Sequence, residues 1–191
     1  MDREFEKIKP LLPTLECNTT AAKEHVSKAE CTIQTLKERT RGLLATLPFP
    51  HVPKRMKIEF VYFIVLLLNA FPVKSRISVV YSPRELIVRW RQDYKKHCRV
   101  LPGTYCEVHD EPTPTNTMAW QTHECIALGP TGNLQGSVKF YCLTTGRVLK
   151  RRSFTPMPMP DWVIKRVDAI RECEGQGRTF WFLNQRKEPY E

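Results

Sequence analysis

The sequence has no C-x-x-C pair, no secretory leader and no apolar run long enough to span a bilayer, and each absence removes a class of protein. Its cysteines (Cys17, Cys31, Cys98, Cys106, Cys125, Cys142 and Cys173) are odd in number and irregularly spaced, which predicts free thiols in a reducing compartment. His25 and Cys31 are the nearest thing to a ligand pair. Six residues on a helix turn through about 240°, so the two side chains diverge and zinc is not expected there. The longest apolar run, FVYFIVLLLNAF from Phe60 to Phe71, lies between Glu59 and Pro72. It falls short of the roughly 20 residues that cross a membrane and reads as a buried core helix. Acidic residues are also scarce. The chain has 20 Asp and Glu against 30 Lys and Arg, a net charge of +10, which favours polyanionic partners, nucleic acid first and an anionic membrane surface second.

What is present divides into a helical part and a strand-rich part. Thr20 can cap a helix of about 25 residues with apolar positions Val26, Ala29, Ile33, Leu36, Leu43 and Leu47, ended by Pro48. Around its axis Glu30 lies about 40° and Lys37 about 20° from Val26, which puts both on the margin of the expected buried stripe. Pro48, Pro50 and Pro53 precede a second helix over Met56–Ala70. Ser82-Pro83-Arg84-Glu85 has the form of a helix start, with Ser82 as cap and Pro83 in the first turn, so ELIVRWRQDYKKH is expected to begin a short third helix or an ordered turn. Beyond Gly103 the runs TYCEVH, THECIALG, GSVKFYCL and GRVLKRRSF alternate like strands and predict a small antiparallel barrel or sheet of four. A proline-rich exit, TPMPMPDW, leads to a short helix over Asp161–Glu174 and a basic tail from Gly175.

The chemistry-bearing candidates are few. Asp2 and Glu30 are separated carboxylates that composition alone does not link. Lys37, Arg39 and Arg41 on the long helix, and Lys150 and Arg152 on a strand whose alternation turns Arg151 the other way, are candidate phosphate contacts. The glycines at 129, 132 and 136 belong to GPTGNLQG, which lacks the Gly-Lys-Ser/Thr ending of a phosphate loop and reads as a hairpin loop. His97 and Cys98 have no carboxylate at a spacing that would make a nucleophilic pair. Trp120, Trp162 and Trp181 are available to stack on bases or to fill gaps.

In order, Met1-Asp2-x-Glu4-Phe5, the Glu30 helix ending KERTR, LNAFP, YSPREL, DYKKHC, LGPTGNLQGSVKFYCLTTGRVLKRRSF and MPMP resemble the integrase region of copia-type retrotransposon polyproteins over nearly the whole chain. The resemblance implies an α+β fold: the helical C-terminal part of a ribonuclease-H-like integrase core (residues 1–100), a small antiparallel SH3-like β-domain (101–160), and a C-terminal helix with a basic tail (161–191). It implies DNA strand transfer in the intact parent, with Mg2+ or Mn2+ held by three carboxylates, hard oxygen ligands suited to such ions. Asp2 looks like the second catalytic and metal-binding acid and Glu30 like the third. The family's first Asp is missing, Arg3 stands where Gly usually follows the second acid, and Cys31 stands where Arg usually follows the third. The chain is therefore expected to be a truncated copy without catalysis or bound metal of its own. It is expected to bind nucleic acid, DNA in the parent, with possible self-association and no membrane partner, in the nucleus for the parent activity and otherwise in the cytoplasm. The rival is a non-catalytic basic adaptor for nucleic acid or protein.

Overall fold

The computed structural model describes residues 27–71, 78, 80–109, 118 and 121–174. The chain divides into two compact units, Met1–Glu38 and Arg39–Glu191. The described part of the first unit is the beginning of helix α1 (Ser27–Ala45). The stripe expected to be buried there is not: Ala29 is exposed, Ile33 is 51% exposed and Leu36 is only half-buried. Glu30, exposed in the first turn, therefore does not border a buried face. Periodicity reports which side of a helix is apolar, and burial additionally requires something packed against that side.

The second unit is α+β. It holds the end of α1, helix α2 (Lys54–Ala70), the short helices α3 (Pro83–Val88) and α4 (Tyr94–His97), strands β1 (Tyr105–His109), β2 (Thr122–Pro130), β3 (Val138–Cys142), β4 (Val148–Arg151) and β5 (Phe154–Pro156), and helix α5 (Asp161–Cys173). All strand pairings are antiparallel, in the order β4-β3-β2-β1-β5.

Four strands were expected, and the fifth comes from GRVLKRRSF, which is not one strand. It breaks at Arg152-Ser153, and the two halves join opposite edges of the sheet. Four flat interstrand spacings would cover about 19 Å. Three Cα steps from Arg151 to Phe154 reach at most about 11 Å, so the sheet has to curl until its edges approach. Two clusters result. On one face Val100, Cys106, Val108, Cys125, Ala127, Val138, Phe140 and Cys142 pack with Leu149 of β4 and Phe154 of β5, the edge strands. On the other face Tyr105, Ile126, Leu128, Tyr141 and Leu143 pack with Phe49, Val52, Met56 and Phe60 and with Val163 and Val167 of α5. Residues on both sides of position 100 thus share one core.

Helix α2 is where the apolar run placed it. It lies on β2 through a bulge: the register shifts between Ala127 and Gly129, and at Gly129 (φ 136°) a Cβ would come within 2.7 Å of the Phe63 ring. Lys139 of β3 pairs with Glu59 of α2 at 2.7 Å, with both side chains mostly covered. Pro53 gives α2 no side-chain cap. The free amide of Lys54 instead donates to the Glu174 carboxylate at 3.0 Å, so the residue that follows α5 caps α2.

The two sides of α2 should respond differently to truncation. Phe60 is fully buried and Ile58 is 42% exposed. Phe60→Ala should cost about 3–5 kcal/mol and Ile58→Ala under about 1 kcal/mol in denaturant unfolding of the full chain. Equal costs would contradict this packing.

Candidate functional site

The segment from Val80 to Arg99 makes the most distinctive surface of the second unit. Ser82 and Glu85 form a capping box: the Ser82 amide donates to the Glu85 carboxylate at 2.8 Å, and the Glu85 amide donates to Ser82 Oγ at 3.1 Å. The Ser82 backbone N–H on the charged form, more than any other contact, holds the Glu85 carboxyl below its usual range. Helix α3 ends on Arg89, whose φ of 63° makes it the only non-glycine residue with positive φ among the described residues. Arginine is costly in that left-handed conformation, where glycine is the usual choice. Asp93 caps α4 by accepting the Lys95 amide at 2.9 Å.

Both acids of the segment are thus turned toward backbone amides. The arginines between them and the lysines after Asp93 are left with little countercharge: Arg91, 90% exposed, approaches Glu85 only to 3.7 Å, and no carboxylate among the described residues pairs with Arg89, Lys95 or Lys96. An open groove of about 580 Å³ runs along this segment, lined by Val80, Tyr81, Leu86 and Trp90 with Glu85, Arg89 and Arg91 at its margin. Tyr81 is 58% and Val80 76% exposed, an apolar and aromatic floor open to solvent beside unmatched cations.

The back of the groove is fastened to the β2–β3 loop. Arg84 Nη2 donates to the Gly132 carbonyl, His97 Nε2 lies 2.8 Å from the Asn133 carbonyl, and Arg99 Nη2 reaches the Gly136 carbonyl at 3.3 Å. Trp90 sits between two of these groups, with Arg84 5.3 Å from its ring centroid and the His97 ring at 5.3 Å. Arg99 also donates to the Arg152 carbonyl at 2.9 Å and lies over Phe154, so it braces the β4–β5 corner as well. The loop glycines allow this approach. A Cβ at Gly136 (φ 74°) would stand 2.9 Å from the Lys96 carbonyl oxygen.

The residues singled out from the sequence are not gathered here. Asp2, Trp120 and Trp181 lie outside the described residues. Glu30 is exposed on α1, and no three His, Cys, Asp or Glu side chains among the described residues come together as a metal site. The Mg2+ or Mn2+ set implied by the resemblance is therefore not assembled within them. Lys37 is half-buried on α1, and Arg39 and Arg41 are exposed. The two arginines lie about 200° apart around the helix and do not form a row. Lys150 is exposed on β4, whereas Arg152 lies beyond the strand at the corner, so strand alternation does not pair them. Trp162 stacks edge-on against Tyr105 at 5.9 Å. His97 is buried rather than paired with Cys98 as a nucleophile, and burial raises the Cys98 thiol.

Cys106, Cys125 and Cys142 are cross-strand neighbours in the enclosed face. Burial pushes Cys106 up to about 12 and Cys125 higher still. These two thiols are packing residues in which the thiolate, the reactive form, is suppressed. No helix among the described residues is long and apolar enough to cross a membrane.

Sequence reasoning recognised the YSPREL cap but not the groove, because Tyr81, Trp90 and Arg89 carry no periodic signal. No family model, curated protein or solved structure matches the chain.

Two outcomes follow from this geometry. Gly136→Ala should destabilise the chain by about 1–3 kcal/mol, because it strains the loop and pushes on backbone. A neutral result in denaturant unfolding would mean that the loop is not held against α4. Glu85 has a lowered folded value, so its contribution is present above the ordinary glutamate value of 4.5 and lost as pH falls through the lower folded one. Amide exchange at Glu85, corrected for the intrinsic rate, should therefore rise in acid in the wild type, and Glu85→Gln should show no such step.

Proposed function

We propose that the chain is a nucleic-acid-binding part of a retrotransposon-type integrase, and that the groove between Tyr81 and Arg91 engages single-stranded nucleic acid. The observation that carries this reading is the open aromatic floor beside Arg89 and Arg91, with Glu85 and Asp93 committed to helix caps. Bases of any identity can stack on Tyr81, while phosphates meet Arg89, which no carboxylate among the described residues pairs, and Arg91, which Glu85 approaches only to 3.7 Å. The net charge of +10 adds a long-range attraction of the same sign.

In this reading the curled five-stranded sheet is the SH3-like β-domain, and its strand order, with β5 returning to β1, supports that identification. Helices α1 and α2 correspond to the helical end of a ribonuclease-H-like core, with Glu30 descended from its third acid. No reaction step is assigned to Asp2 and Glu30. A strand-transfer assay on the full chain with Mg2+ or Mn2+ should give no joining. Metal-dependent joining lost in Glu30→Gln would overturn that part of the reading.

The adaptor alternative has its own support in the outward side of α2, where Ile58, Tyr62 and Val65 are exposed one and two turns apart. The two readings separate in a titration of a fluorescently labelled single-stranded oligonucleotide with the full chain. Tyr81→Ala should weaken binding roughly tenfold, and Arg89→Ala should weaken it and lower the salt slope by about 0.7. Binding that is unchanged by both substitutions, or that does not depend on salt, would rule out the groove.

A further inference from the structure

We propose that His97 is held as an imidazolium and acts as a proton-dependent latch between α4 and the β2–β3 loop. Its ring nitrogens lie at hydrogen-bonding distance from two oxygens that can only accept: Nδ1 is 2.6 Å from the Asp93 carbonyl and Nε2 is 2.8 Å from the Asn133 carbonyl. A neutral imidazole carries one N–H. Its other nitrogen would direct a lone pair at a carbonyl oxygen, in a residue only 3% exposed. The doubly protonated ring satisfies both contacts and also presents a cation to the face of Trp90.

The surroundings make this proton removable. Across Trp90 stands Arg84, α4 contributes Lys95 and Lys96, Arg99 follows Cys98, and the loop from Thr131 to Ser137 carries no ionisable side chain. The two carboxylates of the segment, Asp93 and Glu85, accept from the Lys95 and Ser82 amides. With one ring proton removed, one of the two carbonyl contacts loses its donor. The latch is therefore made at lower pH and lost as pH rises. Arg84 and Arg99 keep their charge and their hold on Gly132 and Gly136, so deprotonation frees the middle of the loop, Asn133 to Gln135, while its ends stay attached. The latch does not depend on what the groove binds.

The test uses the full chain with ring-labelled histidine, following the His97 nitrogens by NMR and the amide exchange of Gly136, which donates to the Asn133 carbonyl, beside that of Thr131, which donates to Ser137 at the attached ends of the loop. Both ring nitrogens should be protonated at pH 6. As pH is raised, loss of one ring proton should coincide with a rise of about tenfold in intrinsic-rate-corrected exchange at Gly136, the size expected for losing one charge-assisted bond, with no matching change at Thr131 or in β1 and β2. In His97→Gln the Gly136 amide should exchange at the faster level at every pH. A ring that is neutral across the whole range, or a pH step that persists in His97→Gln, would overturn the proposal. The wild-type ring measurement decides the matter even if the variant fails to fold.

Discussion

Two residues, Arg152 and Ser153, connect strands at opposite edges of the sheet, and the rest of the second unit depends on that short joint. A chain that can reach only about 11 Å cannot cross a flat five-stranded sheet, so curvature is imposed by connectivity before any side chain is considered. Curling encloses one face, which becomes a small core with three cysteines, and leaves the other convex. That outer face carries Tyr105, Ile126, Leu128, Tyr141 and Leu143, and it remains apolar because α2, α5 and the end of α1 cover it. Arg99 braces the joint, bonding the Arg152 carbonyl while its guanidinium lies on Phe154.

The same arginine also reaches the β2–β3 loop, so the corner and the loop form one mechanical unit with the α3–α4 segment. Three side chains, Arg84, His97 and Arg99, converge on three backbone carbonyls of a glycine-rich loop. This arrangement satisfies otherwise orphaned acceptors and holds Trp90 between Arg84 and His97. The acids of the segment are spent on helix caps. What faces solvent is therefore an aromatic floor with surplus positive charge, and the proposed affinity for nucleic acid rests on that imbalance more than on the total charge of the chain.

Much of the fold was legible locally. The run from Phe60 to Phe71, the Ser82-Pro83-x-Glu85 start and the alternation in the strands all encode their structures within a few residues, where propensity and capping act. Three features were not legible. Ile33 obeys the helical period yet is exposed, GRVLKRRSF alternates like one strand yet serves two, and Pro53 offers α2 no cap, which Glu174 supplies from far along the chain. The groove escaped for the same reason. Tyr81, Arg89 and Trp90 belong together only because an αL turn and the loop behind it set them side by side.

By itself the sequence determined the elements, the excess of positive charge, the free thiols and the resemblance that motivates a nucleic-acid role, since these depend on composition and on neighbours a few residues apart. Only the tertiary structure decided which apolar faces find partners, where the strand-rich segment breaks, and which polar groups meet across the chain. The division has a physical basis. Periodicity and caps are short-range, whereas burial, sheet closure and the pairing of His97 with a carbonyl 36 residues away depend on contacts that exist only after the chain has folded.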